Sequence, residues 1–209
     1  MPREAQRGAC RGGAWALVAA LCLCACGESS ARTQSQTARA ADDDWVGPQL
    51  ADFRMGASDG REVTLASLAG APFVLDFVFT SCTGPCPAMS DSMARLQGDL
   101  AGTPVRLVSV SVDPQTDTPE RLAEYGAARG ADPERWSFLR GDEAAVTALA
   151  TSVLLPAARD AGADAGLRVA HSSRFVVVDG SGRVRGYYEG TTDEGRAAAA
   201  ARARWLAGR

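Results

Sequence analysis

The stretch "FVLDFVFTSCTGPCPAMS", residues 73–90, decides how the rest of the chain is read. Residues 73–79 form an almost continuous apolar run. Such runs suit a strand buried on both faces, at the centre of a sheet. Cys82 and Cys86 follow, separated by Thr83-Gly84-Pro85, and Pro87 comes next. Beyond them Met89, Met93, Leu96 and Leu100 recur at spacings of 4, 3 and 4, one face of a helix. Core packing explains that stripe better than soft metal ligation does. The stretch therefore reads as strand, thiol pair, helix. It leaves three uses of the thiols open: a disulfide switch, a metal site, or both.

Cys82 is expected at or just before the helix N-terminus, and Cys86 in its first turn. Helical residues four apart hold their Cβ atoms about 5–6 Å apart, whereas a disulfide brings them to about 3.8 Å. Gly84 supplies the freedom to close that gap. The partial positive charge of a helix N-terminus is expected to favour thiolates. Both disulfide exchange and metal binding start from the thiolate.

Outward from the junction, residues 50–65 read as two short strands around a Ser58-Asp59-Gly60 turn. Residues 105–112 form the next strand. A helix follows, with Thr118 as N-cap and Pro119 at its first position. Then come a short strand at "WSFL", a helix from near Asp142, a hairpin over 172–190 turning at Asp179–Gly182, and a closing helix. This order predicts an α/β, thioredoxin-like fold: a central mixed β-sheet flanked by helices, with an N-terminal β-hairpin extension. Asp113 and Asp117, in "DPQTDTP", read first as turn and helix-start residues. An acidic partner contact, or support for the site, is the alternative. Tyr187 and Tyr188 are expected to pack along the hairpin.

His171, the only histidine, lies in "VAHSSRFVVVD", just ahead of a strand expected to run beside the cysteine-bearing one. Two thiolates and one imidazole form a soft, low-coordinate set suited to Cu(I), and imidazole also suits Cu(II). Zinc would want a fourth ligand or an open water position.

The chain has 209 residues, 46% of them hydrophobic, which fits one domain plus extensions. Its net charge is −3 and its basic residues, all arginines, form no stripe, which argues against nucleic-acid binding. Arg3, Arg7 and Arg11 precede an apolar run at 14–26, the pattern of a secretory signal. The run ends in "LCAC", residues 23–26, which resembles a bacterial lipobox with Cys26 as the acylated residue. The expected organisation is a lipoprotein signal peptide at 1–25, a lipidated flexible tether at 26–44 and a folded domain at 45–209. Cys10, Cys22 and Cys24 would leave with the signal, so Cys82 and Cys86 alone would remain in the domain. A domain of this size needs no disulfide for stability, so the close pair points to chemistry.

Three blocks carry a resemblance: "FVFTSCTGPCP" (77–87), "SVSVDPQTDTPERLAEY" (109–125) and "HSSRFVVVDGSGRVRGYY" (171–188). Together they resemble the Sco (SenC) family of copper-handling proteins, over roughly residues 46–190. The resemblance implies one bound copper with Cys82, Cys86 and His171 as ligands. It also implies a monomer outside the cytoplasmic membrane that helps assemble the dinuclear copper centre of cytochrome c oxidase. The expected partner is a copper-accepting oxidase subunit or another periplasmic copper or thiol protein, and Cys26 would anchor the chain to the membrane surface. A thiol–disulfide oxidoreductase that reduces target cysteines is the competing function. Thioredoxins carry a proline ahead of the flanking strand; residues 170–174, "AHSSR", have none, as in Sco proteins. A peroxiredoxin-like peroxidase would need a single attacking cysteine in its own pocket, and only the pair is present.

Overall fold

Every residue of Phe73–Val78 is buried, as a strand covered on both faces must be. In the computed structural model the described residues are 45–153 and 173–209. The segments expected to be signal and tether (1–25 and 26–44), Cys26 among them, and His171 lie outside them. Within them the order is β1 (Arg54–Ala57), β2 (Glu62–Thr64), α1 (Leu65–Leu68), β3 (Phe73–Val78), α2 (Cys86–Asp99) and β4 (Arg106–Ser111). There follow α3 (Pro119–Ala127), β5 (Trp136–Arg140), α4 (Glu143–Val153), β6 (Arg174–Val178), β7 (Val184–Glu189) and α5 (Asp193–Ala207).

The strands form one mixed sheet in the order β2-β1-β5-β4-β3-β6-β7. β3 is parallel to β4 and β4 to β5. β6 runs antiparallel to β3 on its other side, with Leu75 opposite Val176. The expected neighbour of the cysteine-bearing strand is therefore present. The β1–β2 hairpin is the N-terminal extension, joined antiparallel to β5.

Alternate residues of β3 feed two cores. Phe73, Leu75 and Phe77 pack with Leu65 and Leu68 of α1 and with Val146, Leu149 and Val153 of α4. Val74 packs on the opposite face with Met89, Met93 and Leu96 of α2, Leu122 of α3 and Ala199 of α5. Met89, Met93, Leu96 and Leu100 are fully buried, which bears out the core reading of that stripe. Each such side chain contributes roughly 1.5–3 kcal/mol of transfer free energy.

The boundaries follow local chemistry. Thr118 Oγ1 accepts from Arg121 N at 3.3 Å, and Pro119 opens α3 as expected. In the β6–β7 turn, Asp179 Oδ1 accepts from Ser181 N, Ser181 Oγ and Arg183 N. Gly182 takes a φ of 81° there, a conformation glycine adopts without a Cβ penalty. α1 was not expected; a reciprocal capping box between Thr64 and Ser67 sets its start. Among the described residues no helix is long and apolar enough to cross a membrane.

Candidate functional site

β3 ends at Val78, a loop runs from Phe79 to Pro85, and α2 begins at Cys86 itself. Pro87 falls in the first turn, where its missing N–H costs nothing. Cys82 thus lies wholly in the loop rather than on the helical spacing, with its N–H on Phe79 O at 3.2 Å. Both cysteines are free thiols, Cys82 half-buried and Cys86 buried. Gly84 is not in the left-handed region, and a Cβ there would lie 3.9 Å from Cys82 Sγ, an ordinary contact.

The expectation that the helix N-terminus lowers the thiol pKa values fails at Cys86. Burial pushes that thiol up to about 12, and the neighbouring Cys82 thiol adds to the effect. The negative ends of Cys82 and Asp76 reinforce it, while the backbone at Phe79 pulls the other way. Desolvation outweighs the helix dipole because Cys86 faces the core rather than solvent. The two thiols are thus close enough for each to bear on the other's ionisation, and neither is in a disulfide.

Two carboxylates lie behind this junction. Asp76, on β3, is completely buried beside Ser109, its partner across the β3–β4 register. Burial pushes its carboxyl up to about 7; Ser109 eases this only in part. Neither oxygen reaches hydrogen-bond geometry with a described residue, and the Ser109 hydroxyl itself accepts from Trp136 Nε1 at 2.9 Å. Asp117 is equally buried but fully engaged. Thr80 N donates to its oxygens at 3.1 and 3.3 Å, Thr80 Oγ1 at 2.6 Å and Ser111 Oγ at 2.5 Å.

Asp113 does the turn chemistry expected of it, accepting from Thr116 N at its side chain and from Asp117 N at its carbonyl. Asp117 does not: its side chain ties the thiol loop instead of starting α3. On the far side of α2, Ser90 Oγ and Tyr125 OH share a 2.8 Å hydrogen bond that joins α2 to α3.

The structure brings Cys82 and Cys86 together at the C-terminal end of β3. Arg174, exposed, opens β6 at the same end of the sheet, since β6 runs antiparallel to β3. Tyr188 is buried against the sheet, and Tyr187 donates its hydroxyl to Val153 O at 2.6 Å, so both pack along the hairpin as expected. The sequence reading missed Asp76, although an acid inside an apolar run is a visible signal. It could not find the partner of Asp117.

A dithiol at the end of a central strand, with one sulfur on the first residue of the next helix and an antiparallel strand alongside, defines a thioredoxin-like dithiol protein. The SCO1/SenC family model matches residues 46–206, and the chain belongs to that family. It is similar to a SCO1 protein homolog of Bacillus subtilis strain 168, with 32% identity over 178 residues, 81% of this chain and 83% of that one. It also resembles BsSco, a member of the Sco family of cytochrome c oxidase assembly proteins in which a disulfide switch was identified. There the identity is 28%, the TM-score 0.67, and the likeness covers 78% of this chain and 95% of that one. Bradyrhizobium japonicum ScoI with copper bound is 27% identical, with a TM-score of 0.56 over 76% of this chain and 99% of that one.

Proposed function

We propose that this chain carries one copper ion on Cys82, Cys86 and His171, and delivers it to, or prepares, the copper centre of a respiratory cytochrome c oxidase. The observation that carries this reading is the pair of free thiols at the β3–α2 junction, one in the loop and one on the first residue of α2. Two adjacent sulfurs are a soft donor set, which favours Cu(I). A relative of the same fold holds copper. His171 precedes β6 by three residues, and β6 begins at the end of the sheet that carries the thiols. Three residues of chain reach at most about 10 Å, which supports an imidazole completing the site.

In this account copper is cargo. Binding displaces the thiol protons, and transfer proceeds by exchange of the sulfur and nitrogen ligands for those of the acceptor. Cys26 would hold the chain on the membrane by its lipid, the 26–44 segment would tether it, and the domain would act as a monomer.

A second reading has its own observation in favour: the two neighbouring thiols are free and on a loop and a helix start, an arrangement that suits closure to a disulfide, and a relative has a disulfide switch. Here the pair would reduce target cysteines so that they can accept copper. His171→Ala separates the two. The proposal expects a fall in copper affinity of at least tenfold, a scale typical of losing a ligand-shell group, with dithiol–disulfide exchange intact. Unchanged copper affinity in that variant removes His171 from the site.

A further inference from the structure

We propose that Asp117 is the positioning residue of the thiol pair, setting its dithiol–disulfide equilibrium by fixing the loop that carries Cys82. This deepens the dithiol reading and rests on it.

The two sulfurs are held by different means. Cys86 begins α2, whose Met89, Met93 and Leu96 are locked in the core, so its place is set by helix packing. Cys82 has no such anchor. Its own backbone makes one bond, to Phe79 O, and Ser81, Thr83 and Gly84 around it are exposed. The link between this loop and the body of the protein is Thr80, two residues before Cys82, and both of its polar donors end on Asp117.

Asp117 in turn is fastened from three directions. Ser111 Oγ, at the end of β4, donates to it. Its own N–H is held by Asp113 O, while Arg140 of β5 grips Pro114 O with Nε and Nη2 at 2.9 and 2.7 Å. Thr118, the next residue, caps α3. The carboxylate therefore joins the loop to the end of β4, and it sits on a segment that is itself held to β5 and to the start of α3. It is completely buried, so these bonds do not compete with water.

A tie made in the dithiol state bears on disulfide formation through entropy. Closing a loose loop costs ordering free energy, while a loop already fixed has met that cost. In the oxidation step a low-molecular-weight disulfide such as oxidised glutathione is the oxidant. The Cys82 thiolate attacks it, forming a mixed disulfide and releasing one glutathione. The Cys86 thiolate then attacks the Cys82 sulfur and releases the second. Two electrons pass from the protein sulfurs to glutathione, and the two thiol protons end on the released glutathione. The second displacement is the one that depends on where Cys82 is held.

The test uses the full chain, metal-free, equilibrated in glutathione buffers of varied ratio, with the oxidised fraction read by trapping free thiols. Variants are Asp117→Ala, Asp117→Asn, Thr80→Val and, as a remote control of stability, Leu149→Ala on the buried face of α4. Asp117→Ala is expected to lower the equilibrium constant for the disulfide about tenfold, which is about 30 mV for a two-electron couple. Asp117→Asn keeps an oxygen facing Thr80 and is expected to recover most of that loss. Thr80→Val, which keeps the backbone bond, should fall between them, and Leu149→Ala should leave the constant unchanged. Thr80→Val carries the test alone if Asp117→Ala does not fold. An unchanged constant in both Asp117→Ala and Thr80→Val, or an equal shift in Leu149→Ala, overturns the role of Asp117. A wild-type chain that forms no Cys82–Cys86 disulfide at any ratio overturns the dithiol reading itself.

Discussion

At position 76 a carboxyl group sits fully buried, and neither of its oxygens reaches hydrogen-bond geometry with a described residue. Its consequence is a stability that depends on pH in an unusual direction. The folded chain keeps this proton up to about pH 7, while an ordinary aspartate releases it near 3.8. Between those values the folded state binds more protons than the unfolded one. The contribution of Asp76 is therefore most favourable below the lower value, declines as pH rises through the interval, and levels off above about 7. Asp76→Asn is expected to remove this decline, on the order of a few kcal/mol across the interval, as read by urea unfolding at a series of pH values. An identical pH slope in that variant would show that Asp76 is not the group responsible. Residue chemistry was partly legible beforehand. The cysteine pair announced itself by spacing, and the acid within 73–79 was there to be seen. The bond from Asp117 to Thr80 spans 37 positions, and no local pattern encodes it. The fate of Cys86 was also hidden: its pKa depends on which way the thiol faces, and a helix-end argument supplies only the competing effect.

At the scale of elements, α2 is the part on which the site depends. Its buried stripe holds Cys86 at the core edge, and Met93 lies at the middle of that stripe with no exposed surface. Met93→Ala is expected to destabilise the chain by about 2–5 kcal/mol, measured by denaturant unfolding; a loss under about 1 kcal/mol would mean that the helix is held mainly by other contacts. Strong periodicity made this helix readable, as the almost continuous apolar run did for β3 and the Thr118-Pro119 pair did for the start of α3. α1 escaped because four residues are too few to show a period, and its start rests on the Thr64–Ser67 box. Cys82 lies in the loop just ahead of α2 and Cys86 in its first turn, as expected. The helix begins only at Cys86, so one thiol is on a loop and the other on the helix, and the four-residue helical spacing does not apply.

For the whole molecule, element order carried the architecture. Alternating strands and helices followed by a hairpin implied a mixed sheet, and the pairing of β6 beside β3 follows that topology. The division into two cores follows from alternation along β3, but the strand registers and the edge position of the β1–β2 hairpin against β5 depend on long-range packing that single-chain patterns do not show. What the topology achieves is convergence: one end of the sheet receives the β3 exit with its thiols, the Asp117 anchor and the entry to β6. Copper-edge X-ray absorption on the reduced, copper-loaded full chain tests that convergence most directly. The account predicts two sulfur neighbours and one imidazole nitrogen on a single copper, with the nitrogen lost in His171→Ala. A copper environment with no sulfur, or one unchanged in that variant, would contradict it.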